Sequence, residues 1–493
     1  MSTPLIRVRN AGYSGSTPFT PSAMGRWWRH SAILLVMIQA QAFAASHYIN
    51  AAATGTNDGS SWANAFPSFA AAITSGMIRG DTYYVAGGTY NESPYINVPL
   101  SGSLWVYIKK ANLTDNGSDP GWDPSFATTV ATVTMFDLDK GYVSIDGVTG
   151  SGTAGHGFHI LNPGTGTNTD SVLLENGKGP FSLNHCNIEG SGFAATANPT
   201  TGIYYNNSTP VKNLYVGNCW IHQVTTNGVI FIDLVGTSYN DPGFTFENNV
   251  ISESGGCLDP TNHGQGMQLG YTSELGFCII RNNTYRNIVG SGMIVFLGST
   301  GANHHDIQIY NNSFYITDLI TYNVISPGVI WAEAQRNGAT GVFITNLSVI
   351  NNTFYNLGSA TASSVNGSVI LEAPASGNIL VNNLWENCRL IGANEGFAVE
   401  SNSGYYNNNL NVPTGIPKEV NGSATTFVNG PAYNFNLVSG GYAIGRGTNF
   451  PSIFTTDANG TPRGGVWDLG AFQFQTTANA APSNAQVAIT ITP

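Results

Sequence analysis

The most regular feature of the sequence is a four-residue pattern: two small polar residues, mostly asparagines, then a variable residue and a large apolar one. Successive occurrences begin 33, 30, 34, 29, 40, 31 and 25 residues apart. They are His185-Cys186-Asn187-Ile188, Asn218-Cys219-Trp220-Ile221, Asn248-Asn249-Val250-Ile251, Asn282-Asn283-Thr284-Tyr285, Asn311-Asn312-Ser313-Phe314, Asn351-Asn352-Thr353-Phe354, Asn382-Asn383-Leu384-Trp385 and Asn407-Asn408-Asn409-Leu410. A second apolar run, opened by a small residue, lies in five of the intervals: Gly228–Phe231, Gly266–Leu269, Gly292–Val295, Gly328–Trp331 and Ser368–Leu371.

Short apolar runs separated by Asn and Gly corners, without a helical period between them, predict the coils of a parallel β-solenoid. Successive coils of such a fold stack about 4.8 Å apart. An Asn at the same corner of every coil can hydrogen-bond to the corners above and below, and Asn also tolerates the left-handed backbone found there. Leucine-rich repeats and propeller blades fit less well, because they need fixed Leu offsets or four strands per unit.

Both ends of the sequence add to this pattern. The N-terminal part carries Asn57-Asp58-Gly59, Ser61-Trp62, a short helix-like stretch over Pro67–Met77 and the run Gly80–Tyr90, and the C-terminal part carries Asp457–Gly460, Arg463 and Asp468–Phe472. With these features the sequence resembles the secreted bacterial members of the right-handed parallel β-helix, or pectin-lyase-like, superfamily over roughly residues 46–475. The resemblance implies an all-β, single right-handed parallel β-helix with a short N-terminal capping helix. It leaves the function open, since this fold hosts lyases, hydrolases, epimerases, adhesins and tail spikes.

Composition narrows the choice of function classes. Of 493 residues, 17 are Lys or Arg and 28 are Asp or Glu, so 9% are charged, against about 25% in an ordinary soluble domain. Apolar content is a normal 42%, which excludes intrinsic disorder. Ala, Glu, Lys, Leu and Arg do not dominate the composition, which excludes a coiled coil. A formal net charge of −11 offers phosphates no basic field, so we expect no nucleic-acid partner.

The first 45 residues are predicted to be a secretion leader. Arg26 to His30 form a positive region, Ser31–Phe43 is apolar, and Ala42-Phe43-Ala44 matches the small-x-small cleavage pattern. We therefore expect a secreted or cell-surface protein, cleaved near Ala44 or Ala45, with no membrane span in the mature chain. Residues 476–493, rich in Thr, Ala and Pro, are interpreted as a tail or linker. The sequence does not predict the oligomeric state.

The central coils hold the densest set of chemically useful residues. The candidate catalytic residues are Asp233, Asp259, His263, Glu333 and Arg336, and the candidate substrate-binding residues are Gln268, Tyr271 and Trp331. Asp233 and Glu333 fall near the ends of equivalent strands three coils apart, so about 14 Å is expected between them. That exceeds the roughly 5 to 9.5 Å used by two-carboxylate glycosidases, whereas pairing either with the Asp259 loop stays possible. Isolated polar residues on a wet surface remain the alternative interpretation.

Other candidate features point to structure rather than chemistry. No cofactor is expected: the best set for Ca²⁺, Asp137 and Asp139 with Asp146, is interpreted as ordinary surface residues. Cys186 and Cys219 share one repeat position, and stacked free thiols are favoured over a disulfide. Tyr285 and Trp385 occupy inward repeat positions and are assigned to the core.

Two function classes follow from these observations. The favoured one is a secreted carbohydrate-active enzyme, a glycoside hydrolase or polysaccharide lyase acting on an extracellular polysaccharide along the solenoid face. The alternative is a non-catalytic surface, adhesion or glycan-binding β-solenoid. The acidic chain argues against polyanionic substrates unless a local basic groove offsets its field.

Overall fold

The structure, a computed structural model, describes residues 44–165, 169–175, 179–193, 199–206, 210–256, 264–270, 274–290, 292–318, 328–333, 341–358, 369–372, 376–388, 396–408 and 420–475. Most of the predicted leader and the predicted tail lie outside these ranges. The helices are short: α1 (Phe69–Gly76), α2 (Leu113–Asn116), α3 (Ser125–Thr128) and a 3-10 turn at Gly430–Ala432. No helix in the described ranges combines the length and the apolar character that a membrane crossing requires.

Strands make up nearly all of the remaining regular structure. In chain order they are β1 (Ser46–Ile49), β2 (Thr82–Val85), β3 (Gly88–Thr89), β4 (Tyr95–Ile96), β5 (Val106–Lys110), β6 (Ala131–Val133), β7 (Phe136–Leu138), β8 (Val143–Asp146), β9 (Phe158–Leu161), β10 (Asp170–Glu175), β11 (Phe181–Asn184), β12 (Cys186–Glu189), β13 (Thr201–Asn206), β14 (Leu214–Gly217), β15 (Trp220–Val224), β16 (Asn227–Phe231), β17 (Leu234–Val235), β18 (Phe244–Glu247), β19 (Val250–Ser254), β20 (Gln265–Leu269), β21 (Leu275–Arg281), β22 (Thr284–Ile288), β23 (Gly292–Phe296), β24 (Asn303–Tyr310), β25 (Ser313–Tyr315), β26 (Ile330–Ala332), β27 (Phe343–Ile350), β28 (Thr353–Tyr355), β29 (Val369–Leu371), β30 (Ile379–Val381), β31 (Leu384–Glu386), β32 (Val399–Ser401), β33 (Gly404–Tyr406), β34 (Val420–Asn421), β35 (Phe427–Asn429) and β36 (Asn434–Leu437).

These strands form three long parallel sheets that run the length of the molecule. Sheet A has thirteen strands (β1-β2-β5-β8-β11-β14-β18-β21-β24-β27-β30-β32, with β17 beside β21), sheet B has twelve (β3-β6-β9-β12-β15-β19-β22-β25-β28-β31-β33-β34) and sheet C has nine (β4-β7-β10-β13-β16-β20-β23-β26-β29). In most coils the chain passes from A to B to C and back to A, one coil further along. The predicted right-handed parallel β-helix is confirmed.

The predicted asparagine ladder runs along the corner between sheets A and B. The backbone N–H of Asn283 donates to Asn312 Oδ1, and the N–H of Asn312 donates to Asn352 Oδ1, each at 2.9 Å. The side-chain amide of Asn312 donates to Asn352 Oδ1 at 3.0 Å. The preceding residue of each pair, such as Asn311 with φ 56°, takes the left-handed conformation. The ladder therefore satisfies buried polar groups at a corner where apolar residues could not.

Replacing Asn312 with Leu should destabilise the fold by about 1–3 kcal/mol, because it leaves the buried N–H of Asn283 without an acceptor. The change should appear as a lower urea midpoint, followed by circular dichroism. Asn91→Leu, at an exposed asparagine, is the control and should leave the midpoint within the error of the wild-type value. Equal shifts in the two variants would contradict a stabilising role for the ladder.

Apolar side chains stack in columns inside the coils. Tyr285, Phe314, Phe354, Trp385 and Tyr405 lie on successive strands of sheet B, with neighbouring ring centroids 4.7, 5.0, 4.7 and 5.3 Å apart. Each is at most 2% exposed, so the assignment of Tyr285 and Trp385 to the core is confirmed. The prediction for the cysteines is also confirmed, because Cys186 and Cys219 are buried free thiols at equivalent positions of adjacent coils.

The two ends of the solenoid are covered by different structural elements. Helix α1, capped by the Ser68 side chain, buries Phe69 and Ala72 against the first coils, close to the predicted 67–77 stretch. The first strand of the parallel stack is β1, and the last is β34. Residues 422–475 add the antiparallel pair β35–β36 and a segment that folds back along the A–B corner. There the side chains of Asn351 and Asn382 donate to carbonyl oxygens of this segment.

Candidate functional site

Chain insertions single out one face of the solenoid. From β14 onward two residues separate each sheet A strand from the following sheet B strand, as Asn282 and Asn283 separate β21 from β22. The connections at the two edges of sheet C vary, from two residues at 225–226 and 232–233 to much longer segments. The long ones include residues 255–264, 316–329 and 356–368 before the sheet, and 333–342 and 372–378 after it. Insertions in solenoids accumulate at the binding face. Sheet C is therefore the face that these connections flank.

The outward side of sheet C carries one continuous row of side chains in register. The row, called here the outer row, consists of Tyr95, Asp137, Leu173, Tyr204, Ile230, Gln268, Val295, Trp331 and Ile370. Tyr95 is 47% exposed, most of the others are half-buried, and Val295 is buried. A row of partly exposed aromatic and aliphatic groups offers flat apolar surfaces along the solenoid axis, of the kind that stack on sugar rings.

Two glutamates lie side by side where strands of sheet C end. Glu333 follows β26 and Glu372 follows β29, and the pairing of Trp331 with Ile370 places the two glutamates on adjacent coils. Their backbone N–H groups continue the ladder, Glu333 donating to Phe296 O at 3.1 Å and Glu372 to Ala332 O at 3.0 Å. The indole N–H of Trp331 donates to Glu372 Oε1 at 2.9 Å. The register therefore places Glu333 and Glu372 on adjacent coils, and the hydrogen bond links Glu372 to an aromatic residue of the outer row.

Among the predicted catalytic residues, the structure describes Asp233 and Glu333, and it does not bring these two together. Asp233 follows β16 and Glu333 follows β26, so they lie three strands apart on sheet C, about 14 Å by strand spacing, as expected. Asp233 takes a left-handed φ of 57°, and its carbonyl accepts from the N–H of Val211 at 3.0 Å. The predicted binding residues Gln268 and Trp331 both belong to the outer row. Asp259, His263, Tyr271 and Arg336 lie outside the described residues.

A second polar cluster, on the outward side of sheet B, was not foreseen. His159 Nε2 lies 2.9 Å from Glu189 Oε2, and His222 Nε2 lies 2.8 Å from Asn187 Oδ1 and 3.8 Å from Glu189. The ring of His222 stacks on Trp220 at 3.6 Å. Burial lowers the pKa of His222 to about 4, against the opposing pull of the Glu189 charge, so this imidazole is neutral at pH 7. Aligning the coils by register would have shown the cluster, since Glu189 and His222 share one column.

The outward side of sheet A carries a third group of polar side chains, in which the charge of Arg281 is paired with that of Glu247. Arg281 Nε donates to Glu247 at 2.5 Å, the hydroxyl of Tyr215 donates to Glu247 at 3.0 Å, and Arg281 also donates to the Tyr310 hydroxyl at 3.0 Å. Tyr310 stacks on Phe454 of the C-terminal segment, with centroids 4.5 Å apart. These groups tie the C-terminal segment to the solenoid, and we assign them a structural role.

The three aspartates considered for Ca²⁺ do not converge. Asp137 lies on sheet C, Asp139 forms an ion pair with Lys140, and Asp146 lies on sheet A, 2.9 Å from His185 Nδ1. Within the part of the chain that the structure describes, no group of three His, Cys, Asp or Glu side chains is placed to hold a metal ion.

Comparison with known proteins finds similarity to a solved structure. No family model matches the chain, and no curated protein matches it. The chain is similar to the crystal structure of pectate lyase Pel9A at 16% sequence identity and a TM-score of 0.40, covering 88% of this chain and 98% of that one.

Proposed function

We propose that the protein is a secreted glycoside hydrolase that binds an extracellular polysaccharide along the outer row of sheet C and cleaves it at Glu333 and Glu372. The observation that carries this proposal is the placement of the two glutamates on adjacent coils, with the Trp331 indole hydrogen-bonded to Glu372. Secretion is part of the proposal and is supported by the leader-like sequence before Ala45.

The spacing of the two glutamates suits one of the two known modes of glycoside hydrolysis. Adjacent parallel strands lie about 4.8 Å apart, and retaining glycosidases use carboxyl groups about 5–5.5 Å apart. In this scheme the Glu372 carboxylate attacks the anomeric carbon while Glu333 gives its proton to the departing glycosidic oxygen. Water then hydrolyses the glycosyl ester, and Glu333 takes a proton from that water. The Trp331 N–H orients Glu372 for the attack.

The charges on the molecule support a neutral polysaccharide rather than a polyuronate. The outer row carries the carboxylate of Asp137, and Glu333 and Glu372 add two more at its edge. Many of the described cations face carboxylates: Lys109–Asp115, Lys140–Asp139, Lys212–Asp241, Arg281–Glu247 and Arg286–Glu253. The whole chain has a formal net charge of −11, which disfavours the approach of a polyanion and supports a neutral substrate. Because β-elimination acts on uronates, a neutral substrate favours hydrolysis.

A polysaccharide panel tests the activity. We expect new reducing ends from at least one neutral glycan, without the 235-nm absorbance that β-elimination creates and without turnover of polygalacturonate or alginate. Absorbance at 235 nm on a polyuronate would replace hydrolase with lyase. Binding of a glycan without any new reducing ends would favour the alternative function, a glycan-binding solenoid, which the length of the outer row over nine strands also supports.

Trp331→Ala should weaken binding of the cleaved glycan about tenfold, because an aromatic stacking contact contributes up to about 1.5 kcal/mol beyond the area that it buries. The matched control is Trp220→Ala, which removes a half-buried outward tryptophan from sheet B. Binding is measured by affinity electrophoresis, and melting temperatures verify that both variants fold. Equal weakening in both variants would argue against sheet C as the binding face.

A further inference from the structure

The first described residues are fixed at the start of the first coil. The backbone nitrogen of Ala45 donates to Asp81 Oδ1 at 2.9 Å, and the carbonyl oxygen of Ala45 accepts from the N–H of Thr82 at 2.9 Å. The next residue, Ser46, begins β1 and pairs with Thr82. Ala45 is therefore held on both sides by the strand that follows Asp81.

Asp81 is a nearly buried carboxylate, 7% exposed, that closes this corner. Its other oxygen lies 2.9 Å from Nε2 of His47, whose ring stacks on Tyr83 with centroids 4.7 Å apart. The neighbouring cation, Arg79, directs its guanidinium to backbone carbonyls instead, among them those of Pro99 and Gly141. The nearly buried Asp81 side chain thus accepts a hydrogen bond from a neutral amide N–H.

We propose that the chain is cut between Ala44 and Ala45 on export, and that the new α-ammonium group of Ala45 forms an ion pair with Asp81. The inference rests on the proposed secretion and not on the proposed catalysis. A signal peptidase would hydrolyse the Ala44–Ala45 peptide bond with one water, leaving the carboxylate on Ala44 and the amine on Ala45. The small-x-small pattern Ala42-Phe43-Ala44 ends at this bond.

The geometry fits a charged partner without rearrangement. Ion-assisted N–H···O bonds are about 2.7–2.9 Å long, and the Ala45 nitrogen already lies 2.9 Å from Asp81 Oδ1. An ammonium group can keep this bond while neutralising a carboxylate that burial otherwise penalises. The carboxylate in turn favours the protonated amine, which is not nucleophilic, so the amine should acylate slowly in the folded protein. The other titratable groups at this corner are His47 and Tyr83.

The first experiment identifies the cleavage site directly. The full chain, with its own leader, is secreted from a bacterial host, and the product is analysed by intact mass and N-terminal sequencing. We expect Ala45 as the first residue. A mature chain that begins at any other residue, or a product that keeps the leader, would overturn the inference. Either result leaves the hydrolase assay untouched, so the two proposals fail separately.

The second experiment tests the ion pair between the α-ammonium group and Asp81. The α-amine of the mature chain is acetylated at pH 7 with a limiting reagent, and its rate is followed by mass spectrometry. We expect at least tenfold faster acetylation in Asp81→Asn than in the wild type, since one pKa unit changes the free-amine fraction tenfold. Asp58→Asn removes an exposed aspartate from the same region and should match the wild type.

A measurement on the wild type alone covers the case in which Asp81→Asn does not fold. The α-amine should acetylate at least tenfold more slowly in the native protein than in urea, corrected with a short peptide of the same N-terminal sequence. Equal corrected rates in the native and unfolded states would overturn the ion pair, as would equal rates in Asp81→Asn and the wild type.

Discussion

Glu333→Gln and Glu372→Gln should each lower turnover of the polysaccharide by at least about 100-fold, with the polymer still bound. Removing a positioned acid or base costs roughly 10²–10⁴ in rate, and a glutamine side chain can neither donate this proton nor form the glycosyl ester. Gln is nearly isosteric with Glu, so the outer row should still hold the glycan. Reducing-end release and affinity electrophoresis on the same preparations separate these two effects.

The two variants should differ on substrates with good leaving groups. An aryl glycoside with an acidic phenol needs little protonation as it departs, so Glu333→Gln should keep much more activity on it than on the polymer. Glu372→Gln should lose both activities, because it removes the nucleophile. Glu274→Gln, at an exposed glutamate whose Oε1 accepts from the Asn303 N–H, is the matched control and should retain wild-type turnover. Identical losses on both substrates in both variants would contradict the assigned roles.

The Asn corners made the fold readable from the sequence. Each corner needs a residue that accepts a left-handed backbone and another that bonds to the coils above and below, and Asn meets both needs. Asn311 and Asn312 each meet one of these needs: Asn311 takes the left-handed backbone with φ 56°, and Asn312 makes the ladder hydrogen bonds. The signal is strong because the same physical demand recurs in every coil.

The partner of Glu333 could not be predicted in the same way, because sheet C has no ladder residue to fix its register. Aligning the apolar runs by their opening small residue places Trp331 opposite Leu371, but the strands pair Trp331 with Ile370. A shift of one residue exchanges inward and outward positions. With that shift Glu372 does not align with Glu333, so the sequence pointed instead to the distant Asp233 or to the Asp259 loop. The corner insertions of variable length conceal the register there.

The C-terminal segment was also beyond the sequence pattern. Its motifs suggested that the solenoid continues, yet residues after β34 fold back over the A–B corner. The carbonyl oxygens of this segment accept from Asn351 and Asn382, the left-handed residues of the corner pairs. Nothing in a local pattern shows that an Asn will bond to a segment more than sixty residues away. The segment covers the corner between sheets A and B.

Acidification from pH 7 to pH 5 should destabilise the protein by several kcal/mol, because three histidines are buried in neutral form. Burial is the main cause that lowers the pKa of His156, His222 and His304 to about 4. His304 shows the cause most clearly. It is fully buried, with Nε2 donating to Leu297 O at 2.8 Å and with Nδ1 buried and without a hydrogen-bond partner.

The loss of stability in acid follows from proton linkage. An unfolded histidine titrates near 6.5, so between pH 6.5 and 4 the unfolded chain binds more protons than the folded one. Each histidine makes its full contribution to the free energy of unfolding above pH 6.5. This contribution decreases as the pH falls, by about 2 kcal/mol at pH 5 and about 3 kcal/mol at pH 4. Burial raises the pKa of Glu386, Asp457 and Asp468, which opposes this loss in acid. Single variants are therefore needed to isolate a histidine.

His304→Gln should lose about 2 kcal/mol less than the wild type between pH 7 and pH 5, because the glutamine amide can donate to Leu297 O but does not titrate. Urea unfolding at pH 7, 6 and 5 gives the free energy of unfolding for both proteins, and only the difference across pH is compared, so a constant packing cost cancels. Asn91→Leu, at an exposed residue that does not titrate, serves as the control and should follow the wild-type pH dependence. A His304→Gln protein that loses as much stability as the wild type would show that acid acts elsewhere in the fold.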